Sequence, residues 1–436
     1  MRQTYQQLQQ AVCLDTEIAT LCTWFSSFTD KRAANRSFSL PDVLLSAYAM
    51  FALKYPSLLA FETQTQQEAH NLHTLFGIKT LCTDAQMRNV LDKIDPDTLQ
   101  PFWAKTYNRL AKLGVLKTYK WLDKFLIISV DGVEHFHSTK VHCPHCLVKT
   151  HRDGVTAYTH SMLCAVLVHP QQAAVFVVGT EPIVCQDGDT KNDCERNADK
   201  RLLKAMGLSY AGQRLLYVND ALYATAPHIK QVRDNKWDFI IGVKPDGHKA
   251  LFAKWEARRK TGRLLQTHVE RDGKGVLHRF EFFNGTALNE ASPDCKVNFI
   301  HYQQVDSKGK TTTFSWVTSL IISKKNVIQI MQAGRSRWKI ENETFNTLKN
   351  QGYGFDHNYG HGQQYLATTL AYLMLMAFTT DQLIQWCSQP FQVLWREAKT
   401  KAKLWYTFRA LFMVKPLTSF RHLYQETAYL YGVEIT

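Results

Sequence analysis

The order of apolar segments after residue 124 is the feature that most constrains the fold of this chain. From Phe125 onward, short apolar runs alternate with turns, which is typical of buried strands. Three strands come first, followed by a helix, a strand, a helix and a further strand. In chain order these segments are 125–132, 158–170, 173–183, 193–207, 214–224, 226–237 and 238–247. The order predicts an α/β domain with a mixed five-stranded sheet and helices packed against it.

Two of the predicted strands end in an aspartate. Asp131 follows FLIISV at the end of the first strand, and Asp220 follows LLYVN at the end of the fourth. In a mixed sheet of this order the first and fourth strands are commonly neighbours, so we expect the two carboxylates to lie side by side. The simpler interpretation is that both residues form turns, as aspartates at strand ends often do.

A third acidic residue lies on a helix predicted within residues 334–350. Glu341 follows Arg337 by four residues, so both side chains project from one face of that helix. The simpler interpretation is a surface ion pair worth about 0.3 kcal/mol. Glu343 is a rival for the same role but points to a different face, and we favour Glu341 because it lies one turn after Arg337.

Three carboxylates on separate rigid elements form a set of hard oxygen ligands. Such ligands select Mg²⁺ or Mn²⁺, and two ions about 3.5–4 Å apart can activate water or a 3′-hydroxyl and stabilise the leaving oxygen of a phosphodiester. The candidate metal ligands and catalytic residues are therefore Asp131, Asp220 and Glu341. The candidate phosphate-binding residues beside them are Arg337, Lys339 and Lys349.

The sequences around the three acids resemble one known family of enzymes. SVDG around Asp131, YVNDALYA around Asp220 and RWKIENETFNTLK around Glu341 are similar to motifs of the DDE transposases of bacterial insertion sequences, in the broad IS4-like group. The resemblance spans most of residues 35–365, and a β-rich insertion before the glutamate helix also matches that group. It implies an RNase H-like catalytic domain with an Asp-Asp-Glu triad at these three positions.

The resemblance implies further site residues, with two departures from the family pattern. The family signature has a tyrosine, an arginine and a lysine around its glutamate, and Arg337 matches the arginine. Gly334 stands at the tyrosine position and Leu348 at the lysine position, with Lys349 next to it. The segment GYGFDHNYGHG resembles a block of one subgroup, although a loop that ends a helix is the simpler interpretation. Its candidates for DNA or active-site contact are His357, Asn358 and His361.

A second chemical feature is the sequence HCPHC at residues 142–146. Cys143 and Cys146 have the C-x-x-C spacing of a knuckle that gives two thiolates to tetrahedral zinc. A structural Zn²⁺ ion is therefore a candidate cofactor, and two reduced core cysteines in a loop are the alternative. The further ligands that the sequence offers are His135, His137, His151, His160 and Cys194.

An acidic stretch at residues 186–195 offers further carboxylates. A capped helix start is the simpler interpretation, and an auxiliary metal-binding or DNA-end-contacting role is the alternative. The acidic residues in question are Asp187, Asp189, Asp193 and Glu195.

Changes in apolar periodicity divide the chain into five predicted regions. The insertion carries two predicted hairpins, with turns at 271–275 and 306–310. Thr83 and Gln86 have the spacing of a capping box, which fits a DNA-binding helix-turn-helix or an ordinary helical bundle. The regions are a helical DNA-binding part at 1–120, the first part of the catalytic domain at 121–248, a β-rich insertion at 249–323, the second part of the catalytic domain at 324–362, and a helical basic and aromatic part at 363–436.

The charge balance favours a polyanionic partner. The chain has 52 Lys and Arg against 38 Asp and Glu, a formal charge of +14, and nucleic acid is the usual partner of such a surplus. We see no signal-peptide pattern and no membrane-spanning run, and the scattered cysteines are typical of a reducing compartment. We therefore expect a cytoplasmic, nucleoid-associated bacterial protein that makes no membrane contact.

These observations lead to one hypothesis and two alternatives. The hypothesis is a transposase that binds the terminal inverted repeats of its element in double-stranded DNA, cuts the strands with Mg²⁺ and joins them to a target as a synaptic homodimer. The alternatives are a nuclease of the same fold that performs no strand transfer, and a zinc-stabilised DNA-binding protein without catalysis.

Overall fold

The computed structural model describes residues 12–65, 69–184 and 195–435. Within these ranges ten strands form one sheet, with helices before and after it. The strands are β1 (Leu126–Ser138), β2 (Leu147–Thr150), β3 (Thr156–Val168), β4 (Phe176–Ile183), β5 (Leu215–Asn219), β6 (Asp238–Gly242), β7 (Gln266–Arg271), β8 (Leu277–Asn289), β9 (Ser292–Val305) and β10 (Thr311–Thr318).

Five of the strands form the mixed sheet predicted from the sequence. They lie in the order β4–β3–β1–β5–β6. β3 runs antiparallel to both β1 and β4, whereas β1, β5 and β6 run parallel to one another. This is the strand arrangement of the RNase H-like fold, so the predicted fold class is confirmed.

The central strands are buried until they reach their aspartates. β5 is buried at every position, and β1 is buried from Leu126 to Val130. Because both faces of these strands are covered, their sequences are apolar except for Ser129 and Asn219 and do not alternate. Asp131 and Asp220 are the first half-buried residues beyond these runs. The predicted end of the first strand at Asp131 is wrong, because β1 continues to Ser138 and Asp131 lies within it, whereas Asp220 directly follows β5 as predicted.

The strands between Asp220 and Glu341 extend the same sheet. β7 to β10 form successive antiparallel hairpins, and β10 pairs with β6 of the central five strands. The predicted turns at 271–275 and 306–310 are present. The hairpin between β8 and β9 is absent from the sequence prediction, because β8 continues beyond Phe283 through a bulge where Gly285 adopts a φ of 71°.

Helices lie before and after the sheet in the described part of the chain, as predicted. In α5 the predicted capping box is formed, with Thr83 Oγ1 accepting from the Gln86 amide and the Gln86 side chain accepting from Thr83. The helices before and between the first strands are α1 (Leu14–Ser26), α2 (Leu40–Ala52), α3 (Leu58–Thr65), α4 (Ala69–Phe76), α5 (Asp84–Leu91), α6 (Pro101–Lys112), α7 (Val115–Thr118), α8 (Glu195–Ser209), α9 (Ala226–Asp234) and α10 (Lys249–Thr261). Those after the sheet are α11 (Val327–Arg335), α12 (Asn346–Asn350), α13 (Leu366–Cys387), α14 (Gln389–Ala398), α15 (Lys401–Val414) and α16 (Phe420–Tyr431).

Helix α13 is a core helix and is buried along almost its whole length. Its Asp381 forms a buried ion pair of 2.7 Å with Lys54, which follows α2. This pair joins the N-terminal helices to the C-terminal ones. In the part of the chain that the structure describes, no helix has both the length and the apolar character needed to cross a bilayer.

The segment that carries Glu341 is held closely against the sheet. After α11 the chain makes a tight turn and one π-helical stretch, Ile340–Phe345, before α12 begins. The Ser129 hydroxyl of β1 donates a hydrogen bond of 3.2 Å to the carbonyl of Arg337. A β-carbon on Gly334 would lie 3.0 Å from the ring of Trp316, so glycine permits the close approach to β10. Single π-helical turns are frequent at functional sites.

Candidate active site

Asp131 and Asp220 occupy matching positions on neighbouring strands. β1 and β5 pair in parallel, with Ser129 opposite Val218, and each aspartate follows two residues later. Side chains two residues apart point to the same face, and neighbouring strands lie about 4.8 Å apart. The structure thus brings the two aspartates together, near enough for the charge of Asp220 to raise the pKa of Asp131.

Arg337 links the first aspartate to Glu341. Its Nη1 lies 3.1 Å from Asp131 Oδ2, and its Nη2 lies 2.7 Å from Glu341 Oε1. Because the guanidinium is a rigid fork, these contacts place the two carboxylate oxygens within about 8 Å of each other. Residues that are 206 and 4 positions from Arg337 in the chain therefore meet at a single side chain.

The pKa of the Asp131 carboxyl shows that its ionised form is costly in this environment. Burial raises the pKa to about 6, the Arg337 guanidinium opposes the shift, and the charges of Glu341 and Asp220 add to it. Burial, the largest cause, therefore outweighs the single guanidinium, and the ionised carboxylate is incompletely compensated. A divalent cation would compensate this charge, and partly exposed carboxylate oxygens are donors that Mg²⁺ and Mn²⁺ prefer.

Glu195, at the start of α8, is a fourth acid beside this site. Its Oε1 lies so close to Gly132 that a β-carbon on that glycine would be 2.6 Å away. Burial raises the pKa of Glu195, and the charge of Asp220 raises it further. Of the acidic stretch at 186–195, this carboxylate lies next to the aspartates. Asp187, Asp189 and Asp193 lie outside the described residues.

Glu343 interacts electrostatically with different charged residues from those near Glu341. Burial lowers the pKa values of Lys339 and Lys401, and the Glu343 carboxylate opposes that shift in both lysines. Glu341, in contrast, pairs with Arg337 on the side of Asp131. The two glutamates of the helix therefore face in different directions, as their spacing on a helix predicts.

The two lysines that were candidates for phosphate binding have other partners. Lys339 Nζ donates to the carbonyl of Gln172 at 2.7 Å, in the turn between β3 and β4. That turn follows the end of β3 that pairs with the start of β1, so Lys339 points away from Asp131. Lys349 is exposed and pairs with Asp356 at 3.1 Å.

The polar residues of GYGFDHNYGHG divide into two groups. His357 and Asn358 are exposed, and Asn358 Oδ1 accepts from the Gly360 amide within the loop. His361 is buried and contacts the HCPHC knuckle. Leu348, at the position where the family has lysine, is completely buried in the core.

The knuckle and two histidines form a compact buried cluster. The Sγ atoms of Cys143 and Cys146 are 3.9 Å apart, and each lies 3.4 Å from His160 Nε2. His361 Nε2 lies 3.3 Å from Cys146 Sγ and 3.2 Å from His160 Nε2. Among the described residues, this is the group of His, Cys, Asp and Glu ligand atoms that gathers within 4.8 Å.

The sequence prediction found part of this cluster and missed the rest. His160 was among its candidate ligands, whereas His135, His137 and His151 are not members and Cys194 lies outside the described residues. His361 follows Cys146 by 215 residues, so no local spacing points to it.

Comparison with known proteins assigns the family. The chain matches the family described as "Transposase DDE domain" over residues 160–378, half of its length, a range that includes Asp220 and Glu341 but begins after Asp131. No curated protein matches the chain. A solved piggyBac transposase synaptic complex with hairpin DNA aligns at 9% identity and a TM-score of 0.40, covering 96% of this chain and 76% of that one. From the family match, the chain belongs to the transposases with a DDE domain.

Proposed function

We propose that this protein binds the terminal inverted repeats of a bacterial insertion sequence of the IS4-like group, cleaves the DNA strands there, and joins the free 3′ ends to target DNA. The observation that carries the proposal is the bridge from Arg337 to both Asp131 and Glu341, beside the register-matched Asp220. In an ordinary surface ion pair an arginine binds one acid, whereas Arg337 binds two acids from distant parts of the chain.

In this proposal Asp131, Asp220 and Glu341 hold two Mg²⁺ or Mn²⁺ ions. When bound, the ions supply an activated water or 3′-hydroxyl and a charge that stabilises the leaving oxygen. The chain itself orients the ligands: the Gly132 amide donates to Asp131 Oδ1 at 3.0 Å, and Asp220 Oδ1 accepts from the Leu222 amide at 2.8 Å. These bonds leave the second oxygen of each aspartate to face the site.

Arg337 has a second role in the proposed reaction, which is to bind a phosphate. Its side chain is 15% exposed, and its guanidinium is held where a phosphate oxygen would approach the acids. Guanidinium groups bind phosphates in a bidentate manner. We infer that Arg337 compensates the acids before the ions bind and afterwards turns to the scissile phosphate.

The DNA itself would be held over a wider surface. The formal charge of +14 favours a polyanion, and Lys349, His357 and Asn358 are exposed on the loop side of the Glu341 segment. On α15, Tyr406 is 67% exposed, which suits base or sugar contact, whereas Arg409 donates to the Lys54 carbonyl within the body. The proposal further includes a homodimer in the synaptic complex, a cytoplasmic location near the nucleoid, and a structural Zn²⁺ ion at Cys143 and Cys146.

Joining activity separates this proposal from a nuclease of the same fold. The purified protein is incubated with Mg²⁺, a target plasmid and labelled duplexes that end in the pre-cut 3′ termini of the DNA flanking its reading frame. We expect label to enter the plasmid, and a duplex with scrambled ends to remain unjoined. Cleavage of end-bearing DNA without any joined product would replace the transposase proposal with a nuclease.

A further inference from the structure

The Cys143, Cys146, His160 and His361 cluster draws together three separate parts of the chain. The cysteines lie in the loop between β1 and β2, His160 is on β3, and His361 is in the loop between the Glu341 segment and α13. All four residues are buried, and their ligand atoms point at one another. Four polar groups that converge in a core need a common partner.

The distances in the cluster match the edges of a zinc tetrahedron. With Zn–S bonds of about 2.3 Å and Zn–N bonds of about 2.05 Å, tetrahedral geometry gives about 3.8 Å between sulfurs, about 3.5 Å between sulfur and nitrogen, and about 3.3 Å between nitrogens. The corresponding distances here are 3.9 Å between sulfurs, 3.3–3.4 Å from sulfur to nitrogen, and 3.2 Å between nitrogens. The sulfurs are too far apart for a disulfide, which needs about 2.05 Å.

The hydrogen bonds around the cluster prepare these atoms for a metal. His361 Nδ1 donates to the Gly362 carbonyl at 2.7 Å, which leaves Nε2 with a free lone pair directed at the cluster. The Cys143 amide donates to Cys146 Sγ at 3.4 Å, so the knuckle supports a thiolate at that position. A bond from the outer shell to a ligand fixes the ligand in the orientation that the metal needs.

From this geometry we propose that Cys143, Cys146, His160 and His361 bind one Zn²⁺ ion in a closed structural site. Four protein ligands leave no open position for water or substrate, which distinguishes a structural site from a catalytic one. The site is separate from the acids: Asp131 pairs with Cys164 in the β1–β3 register, and His160 lies four residues along β3, about 13 Å away. The inference does not depend on the proposed DNA chemistry.

The ion would fasten the loop that follows the Glu341 segment to the sheet. On its other side that loop is held by α5 and the residue that follows it, since Arg88 donates to the Tyr359 carbonyl and Asp92 accepts from the amides at the start of α13. A β-carbon on Gly362 would lie 2.1 Å from Asp92 Oδ1, so glycine permits the close contact between this loop and Asp92. The zinc site would thus supply the attachment to β3 and restrain the end of the segment that carries Glu341.

Metal analysis of the untagged full-length protein tests the site. We expect about one zinc per chain, falling below about 0.1 in Cys146→Ser and in His361→Asn. Cys387→Ser and His169→Asn are the matched controls: both replace buried residues outside the cluster and should keep their zinc. Glu341→Gln should also keep it, so loss of the DNA chemistry and loss of zinc are distinguishable.

Two further measurements keep the proposal testable if a variant does not fold. Unfolded wild-type protein refolded with Co²⁺ should show the visible absorption of tetrahedral Co²⁺ with thiolate ligands. Chelation of the wild-type ion should increase amide hydrogen exchange in residues 352–365 more than in β7–β10. A wild-type protein without zinc, or zinc retained in both cluster variants, would overturn the proposal.

Discussion

Replacing Glu341 with glutamine should reduce metal-dependent cleavage of the element's ends by about 10³-fold or more, whereas Glu343→Gln should keep the wild-type rate within about threefold. Both changes remove one negative charge from the same helix and preserve side-chain shape. They differ in location, since Glu341 shares Arg337 with Asp131 while Glu343 faces Lys339 and Lys401. Comparison of the two variants therefore tests whether cleavage needs Glu341 as a metal ligand or only a negative charge on this helix.

The assay is cleavage of a supercoiled plasmid that carries the reading frame with its flanking DNA. Gel-shift binding of the same ends provides the control, because Glu341→Gln should still bind them. Asp131→Asn and Asp220→Asn should behave like Glu341→Gln. If Glu341→Gln cuts at the wild-type rate, or if Glu343→Gln is the inactive variant, the assignment of the third acid is wrong.

Replacing Arg337 with glutamine should have opposite effects on metal binding and on cleavage. Without the guanidinium, Asp131 and Glu341 lose the cation that now compensates them, so metal-free protein should be less stable by about 1–2 kcal/mol. Mn²⁺ should restore that stability and bind several-fold more tightly, because it no longer competes with an arginine. Cleavage should fall by about 10²-fold, since a phosphate-stabilising charge is missing.

Thermal unfolding with and without Mn²⁺, and Mn²⁺ titration followed by electron paramagnetic resonance, measure the first two effects. Arg335→Gln is the matched control, because Arg335 contacts Gln304 on the β-rich side and neither candidate acid. Weaker Mn²⁺ binding in Arg337→Gln would mean that the arginine only orders the acids. The inference that it exchanges places with the ions would then be wrong.

The sequence predicts that the three candidate acids lie near one another because the elements that carry them are local and regular. Asp131 and Asp220 follow continuous apolar runs, and the order of strands and helices around those runs permits few sheet topologies. The separation of Glu341 from Glu343 follows from helical periodicity. These predictions depend on short-range periodicity, which a single sequence contains.

Contacts between distant segments are not accessible in the same way. His361 contacts Cys146 although 215 positions separate them in the chain, and no local spacing indicates this contact. Lys339 donates a hydrogen bond to the Gln172 carbonyl because the folded sheet brings the turn between β3 and β4 next to it. The sequence alone does not indicate this contact. Similarly, nothing in the local sequence indicates that Arg88 and Asp92 bind the backbone at residues 359–366.

Irregular strands limit the prediction in another way. β8 and β9 continue through bulges near Gly285, where the apolar alternation shifts and the sequence resembles a loop. The N-terminal and C-terminal helices are recognisable from their caps and apolar faces. Their partners, such as the buried pair between Lys54 and Asp381, depend on the tertiary fold.

Anomalous diffraction from Mn²⁺ bound to this protein, in complex with duplexes of its element's ends, shows directly whether the three acids hold the ions. Our expectation is two peaks about 3.5–4 Å apart, coordinated by Asp131, Asp220 and Glu341, with Arg337 turned from the carboxylates to a phosphate oxygen. Mn²⁺ bound elsewhere, or acids that still hold Arg337 while the DNA is cut, would contradict it.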